Sequence, residues 1–258
     1  MSATSQYAVL LRSDVRPAAD QIRCAFSSFS HLTDADAVRL AANAEGILMR
    51  QLSSDEARAF HRALNAEGVE AVVVAEDNLT ALPKKMALQR IELTETDFVV
   101  FDQIGRPEKF PWSRILLLAL GAMTHVGFAR TTAVETKPGY NPVTRLWPKE
   151  TVEHSHKLAK DSQLLIEIVL DISGKRFQIN AAEFPFRYVV DRPEFSLLDK
   201  TVWLAGELIR RAPHALLNRG ARDVRDGVKL VRGYPTPQVF NDEMVWLLWD
   251  QAQKNITR

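Results

Sequence analysis

The sequence predicts an α+β protein, and two contrasting patterns carry that prediction. Between residues 7 and 75, short apolar strands alternate with helices that have clear start signals. Between residues 86 and 213, apolar and polar residues alternate with period two, which is typical of half-buried antiparallel strands. A chain of 258 residues, 46% of them hydrophobic, is long enough to build two packed cores.

The N-terminal part has the order β-α-α-β-α-β. Its strands are predicted at Tyr7 to Leu11, Ile47 to Leu52 and Val69 to Ala75. Ser13 or Asp14 is expected to cap the first helix, and Thr33 the second. Ser53 is placed to cap the third helix through a capping box with Glu56. Gly46 and Gly68 stand where the second and third helices stop, since glycine takes the left-handed conformation that helix ends need.

This order resembles the C-terminal domain of the bacterial ribosomal stalk protein L7/L12 over about residues 7 to 75. The matching stretches are Tyr-Ala-Val-Leu-Leu, Thr-Asp-Ala-Asp-Ala-Val-Arg-Leu, and the run from Ser53 to Val74. The run from Ser53 is also similar to small bacterial modules described as signal-transducing. The resemblance implies the fold and a general use in protein binding. It does not imply binding of translation factors, because the stretch from Phe29 to Asp36 has acids where that family has lysines and glycines.

The second part is predicted to be a β-rich module closed by one helix. Arg90 to Thr94 alternate as a strand, and Phe98 to Phe101 form another predicted strand. The apolar run from Ile115 to Ala122 is interpreted as a central strand. Residues 164 to 181 form a predicted hairpin that turns at Ser173-Gly174-Lys175. Ser196 and Asp199 mark the start of an amphipathic helix. This arrangement, with Phe110-Pro-Trp-Ser-Arg-Ile115, resembles bacterial pleckstrin-homology-like domains.

We therefore predict residues 1–80 as an L7/L12-like module, 81–85 as a linker, 86–213 as a pleckstrin-homology-like module, and 214–258 as a tail. Residues 124–160 have no regular period and are predicted to be a long insertion or loop. The tail ends in a helix that Asn241 is expected to cap. Trp246 and Trp249 give this helix more aromatic surface than is usually left exposed to solvent. The helix should therefore dock on its own chain or on a partner.

Composition limits the classes of function. Lys and Arg total 33 against 32 Asp and Glu, so the net charge predicts no nucleic-acid partner. Cys24 is the single cysteine, predicted to be a small buried side chain, and a chain without internal disulfides fits the cytoplasm. The N-terminus lacks the features of an export signal, and the longest apolar run is too short to span a bilayer.

No catalytic constellation or cofactor motif is recognisable, and three weaker groups of candidate site residues remain. His154 and His156 are candidate metal ligands, without a CxxC or HExxH motif to support them. Trp246 and Trp249 are candidates for partner binding. Arg219, Arg222 and Arg225 are candidates for anion binding, although acidic residues interrupt this basic run.

The sequence favours a non-catalytic protein-binding or adaptor protein that has no cofactor. Two alternatives stay open. One is a metal-assisted hydrolase that uses His154 and His156, and the other is a subunit of a larger assembly or homo-oligomer held through Trp246 and Trp249.

Overall fold

The computed structural model describes the backbone of residues 6–27, 33–102, 104–135, 151–171, 174–190, 192–228 and 231–256, and their side chains except at 124–135 and 151–162. These residues form six α-helices and three sheets, none of which closes into a barrel. The α+β fold class is therefore confirmed.

The helices and strands follow one another along the whole described chain. The α-helices are α1 (Ala19–Phe26), α2 (Asp34–Asn43), α3 (Ser54–Ala66), α4 (Leu197–Arg211), α5 (Arg219–Arg225) and α6 (Pro237–Ile256). The strands are β1 (Tyr7–Leu11), β2 (Ile47–Leu52), β3 (Ala71–Ala75), β4 (Lys85–Ala87), β5 (Ile91–Leu93), β6 (Asp97–Phe101), β7 (Pro107–Pro111), β8 (Ile115–Glu135), β9 (Thr151–Leu170), β10 (Arg176–Asn180), β11 (Leu216–Leu217) and β12 (Gly233–Tyr234).

The strands pair in three sheets. The first has the order β2-β1-β3, with both pairs antiparallel. The second has the order β11-β8-β9-β10-β4, and β12 also pairs with β8. The third is the antiparallel meander β5-β6-β7.

The predicted β-α-α-β-α-β order of the N-terminal part is confirmed. Thr33 and Ser53 each accept a hydrogen bond from the backbone of the third helical residue, as capping boxes require. Asp14 and Ser13 do not cap α1, which starts after Ala18. Cys24 lies on the exposed side of α1, so the prediction that it is buried is wrong.

α6 covers the face of the first sheet that α1, α2 and α3 leave open. Val9 and Leu11 of β1 pack among the three helices, whereas Ala8 and Leu10 pack against Val245 and Trp246 of α6. Because both faces are covered, the inner residues of β1 are almost completely buried.

The opposite side of α6 packs on the second sheet. Ile166 and Ile168 of β9 point into the core beneath α4, and Leu165 and Val169 point toward α6. Glu167 shares the α6 side and is 1% exposed, although the alternation of the sequence suggested a solvated face. α6 is therefore apolar on two sides because it lies between two sheets.

The tail contains regular structure before its last helix, because β11 and β12 pair in parallel with β8 and Asn218 caps α5. The predicted cap of the last helix is wrong. α6 begins at Pro237, so Asn241 lies inside the helix, and the hydroxyl of Thr236 accepts from the Val239 amide at 3.3 Å. The tail belongs to the same compact unit as residues 1–123 and 163–213.

Residues 124–162 form a second compact unit. Residues 124–160 were predicted as a long insertion or loop. β8 continues to Glu135 and β9 starts at Thr151, so the loop alternative is wrong for the described backbone, and the insertion alternative stays a prediction. Residues 136–150 lie outside the described residues.

Candidate functional site

The predicted metal ligands cannot be placed as a site. His154 and His156 belong to β9 by their backbone, but their side chains lie outside the described residues. Within the described part of the chain, no three His, Cys, Asp or Glu side chains are grouped to hold a metal ion. Likewise, no described helix has the length and apolar character needed to span a membrane.

The two tryptophans of α6 contact their own chain. Trp246 is 4% exposed, and its indole Nε1 donates to the carbonyl of Leu11 at 2.8 Å. Trp249 is partly buried against the same cluster. The predicted use of Trp246 as a partner contact is therefore wrong, and the helix docks on its own chain.

Gly46 accommodates the indole ring. A Cβ atom at this position would lie 2.2 Å from Cγ of Trp246, and the φ angle of Gly46 is +101°. Glycine is therefore needed for two reasons, the left-handed backbone and the close approach of the ring.

Arg219 is not available to an anionic ligand. Its guanidinium donates to the Asp14 carboxylate at 2.8 and 3.0 Å and to the Ala44 carbonyl at 3.0 Å, and it pairs with Glu45. These partners come from the N-terminal module, almost 200 residues away in sequence. The anion-binding prediction is wrong for Arg219.

The other two predicted arginines point to different partners. Arg222 pairs with Asp14 through Nη1, while its buried Nε and Nη2 atoms have no hydrogen-bond partner among the residues that the structure describes. Arg225 is exposed and pairs with Asp226 at 2.9 Å. The three arginines do not act together as one surface.

A buried polar cluster joins the N-terminal module to the tail. Its buried members are Glu45, Asn218, Arg219, Tyr234 and Glu243, and Asp14 lies at its solvent-exposed edge with a side chain that is 37% exposed. Glu243 accepts from the Arg219 amide at 2.7 Å and from the Tyr234 hydroxyl at 2.5 Å. Asn218 donates to Tyr234 and to the carbonyl of Leu120 and accepts from the Leu120 amide.

Burial dominates the electrostatics of this cluster. It raises the pKa of Glu243 above the ordinary value, and burial together with Glu243 raises the pKa of Tyr234. Perturbed pairs of this kind occur in active sites. Here, however, both side chains are 1% exposed and both are hydrogen-bonded inside the chain, so the cluster holds the fold together and leaves no room for a substrate.

An open cavity lies elsewhere, between β4 and the β6–β7 hairpin. This β4 groove has a volume of about 730 Å³. Leu88, Val100 and Phe177 form its apolar floor, and each is at most 5% exposed. Met86, 40% exposed, forms part of its wall. Size and lining are those of a ligand-binding cleft.

The rim of the β4 groove is polar, and its acidic groups are neutralised. Asp102 accepts from Arg106 at 2.9 Å, and hydrogen bonds from the Arg106 backbone and side chain lower the pKa of Asp102. Glu108 pairs with Lys175 of the opposite sheet.

The strand beside the groove, β4, has one edge that is free within the described part of the chain. β4 pairs in parallel with β10 and ends the order of the second sheet, and the Leu88 amide donates to Gln178 at 2.9 Å. Backbone groups alternate in direction along a strand, so the amides of Lys85 and Ala87 point away from β10. The nearby edge strand β7, by contrast, contains Pro107 and Pro111, which have no amide hydrogen to offer.

Sequence reasoning missed this groove because β4 was assigned partly to a linker. A parallel pairing of residues 85–87 with 176–178 leaves no local trace in the sequence. The available signal was the short apolar run of Met86, Ala87 and Leu88 between Lys85 and Gln89.

No protein-family model matches the chain, and comparisons with curated proteins and with solved structures found no match either. The resemblance to L7/L12 and to pleckstrin-homology-like domains therefore stays a prediction. The structure itself defines an α+β protein with a sealed polar cluster and an open groove at a sheet edge.

Proposed function

We propose that this chain is a non-catalytic protein-binding adaptor of the bacterial cytoplasm, and that the β4 groove receives an extended segment of a partner protein. The observation that carries the proposal is the free edge of β4 beside an apolar floor. An added strand would bond to the outward amides of β4 and place alternate side chains in the groove.

The arrangement of the groove suits a peptide strand. Main-chain hydrogen bonds to Lys85 and Ala87 would supply affinity independent of sequence. Contacts with Met86 and Phe177 would select apolar side chains at alternate positions. The pleated edge and the cavity thus provide two separate contributions to recognition.

One substitution removes a hydrogen-bond donor needed for strand addition and should leave the stability of the fold unchanged. Ala87→Pro removes the outward amide, and proline is tolerated in edge strands where the amide faces solvent. Ala87→Ser keeps that amide and serves as the matched control. Both variants are expected to unfold at the same denaturant concentration as the natural chain, within about 0.5 kcal/mol.

The experiment is selection of binders from a random seven-residue peptide library on the full chain. We expect selected peptides to bind the natural chain and Ala87→Ser equally, and to lose at least about tenfold in affinity for Ala87→Pro. Absence of any selected peptide, or binders indifferent to Ala87→Pro, would reject the proposed function.

A further inference from the structure

The charges around the β4 groove specify the chemistry of the segment it receives, an inference that rests on the proposed function. The three acidic side chains at or beside the groove already have basic partners. Asp102 pairs with Arg106, Glu108 with Lys175, and Glu92 with Arg90. The negative charge of the rim is thus neutralised within the chain.

Some basic side chains near the groove have no acidic partner of this kind. Lys84 and Lys85 precede the groove and are exposed, and neither has an ion pair among the described residues. They stand at the start of β4, where an added strand would begin or end.

The other end of the groove also carries basic groups. Arg90 lies over the ring of Phe101, a lining residue, with its Cζ atom 4.1 Å from the ring centroid. The same guanidinium is 5.5 Å from the ring of Tyr188. Arg187 donates to the Tyr188 hydroxyl at 3.0 Å and makes no ion pair in the described part of the chain.

The pKa of Tyr188 indicates the sign of the electrostatic potential at the Arg90 end of the groove. Tyr188 is exposed, yet the hydrogen bond and the positive charge of Arg187 lower its pKa. A lowered phenol pKa at an exposed position indicates that negative charge is favoured there. A guanidinium has several donor hydrogens, so Arg90 can keep its surface ion pair with Glu92 and still donate to a second carboxylate.

We propose that the β4 groove docks an extended acidic segment, in which a carboxylate side chain lies on each side of a short apolar stretch. One carboxylate meets Lys84 and Lys85, and the other meets Arg90 and Arg187. Five residue steps separate Lys85 from Arg90, and an extended chain covers at most about 17 Å in five steps. A six-residue segment therefore reaches both ends.

A second copy of this chain fits the groove less well. Pairing β4 with another β4 would bring a second Lys84–Lys85 pair to the same basic surface, where like charges repel. A partner with acidic residues satisfies both the free strand edge and the unbalanced charge.

The test uses two labelled peptides and the full chain. The first is acetyl-Asp-Val-Thr-Ile-Thr-Asp-amide, and the second has lysine in place of both aspartates. In 50 mM salt, fluorescence anisotropy should show about tenfold tighter binding of the aspartate peptide. The preference should shrink at 500 mM salt, because these charges are exposed to screening.

Charge reversal gives the matched variants. Lys85→Glu combined with Arg187→Glu should reverse the preference between the two peptides. Arg58→Glu combined with Arg62→Glu changes the net charge equally, but on exposed positions of α3, and should leave the preference unchanged.

Three results would overturn the inference. They are equal binding of both peptides, no binding of the aspartate peptide, and dimerisation of the chain that is lost in Ala87→Pro. Equal binding or no binding of these peptides does not contradict the proposed function, as long as library-selected peptides still depend on the Ala87 amide. If library-selected peptides do not depend on that amide, the proposed function is wrong as well.

Discussion

The buried polar cluster and the β4 groove differ in how far their polar groups are satisfied. In the cluster, Arg219 donates to three residues of the N-terminal module, and Glu243 accepts from three donors. In the groove, Met86 and Ala87 of β4 line an open space of about 730 Å³. Satisfied groups that are sealed from solvent hold a fold together, whereas free groups beside an apolar floor are available for binding.

The largest effect on stability is expected at Trp246, if α6 is a core element. Trp246→Ala should lower the free energy of unfolding by about 3–5 kcal/mol, because a large buried side chain and its bond to Leu11 are both lost. Trp249→Ala, at a partly buried position, should cost clearly less. Urea unfolding of both variants measures the difference, and equal losses would contradict the role given to Trp246.

A smaller effect is expected at Gly46. Gly46→Ala should lower the free energy of unfolding by about 3 kcal/mol, because the new methyl group overlaps the indole of Trp246 and the backbone is left-handed. Gly68→Ala is the control, since its φ angle is also positive at +74°. Apart from its chain neighbours, no described atom lies within 4 Å of a Cβ atom added there. This variant should lower the free energy of unfolding by about 1 kcal/mol.

The double variant Gly46→Ala/Trp246→Ala sharpens this test. Removing the indole makes room for the methyl group, so the combined loss should be smaller than the sum of the single losses. Additive losses, measured by urea unfolding, would show that the two residues do not share one contact.

The ionisation of Asp14 makes the stability supplied by the cluster depend on pH. Burial opposes ionisation of Asp14, but the bonds and charges of Arg222 and Arg219 outweigh it and lower its pKa below the ordinary value of 3.8. A carboxyl with a lowered folded-state pKa stabilises the fold above its ordinary pKa, and this stabilisation is lost as the pH falls through the lowered value.

Asp14→Asn should therefore lower the free energy of unfolding by at most about 1 kcal/mol near neutral pH, because solvent screens a side chain that is 37% exposed. The difference from the natural chain should shrink below pH 3.8. Urea unfolding between pH 7 and pH 3 follows the difference. Asp20→Asn, at an exposed ion pair with Arg23, should change stability by at most about 0.5 kcal/mol. A loss for Asp14→Asn that is constant over this range would contradict the ion-pair role.

Local signals made much of the fold predictable. Thr33, Ser53 and Ser196 cap helices as their sequence context indicates, and the hairpin of β9 and β10 has the predicted pairing. In each case the interacting residues are close in sequence, so the physical cause can be seen in a short window.

The cluster and the groove depend on contacts between distant residues, and no short window contains them. Asp14 has the type and position of a helix cap, but it bonds to Arg219 instead. Glu167 and Arg176 have the alternation of a solvated face, but they form a buried ion pair because α6 covers that face. These partners could be found only once the two sheets were placed on either side of α6.

Amide hydrogen exchange of the full chain, with and without a library-selected peptide, tests the central claim most directly. If the β4 groove is the binding site and the buried cluster is structural, the peptide should slow exchange at the Lys85 and Ala87 amides and leave α6 unchanged. Protection centred on Trp246 and Trp249, with no change along β4, would contradict the account.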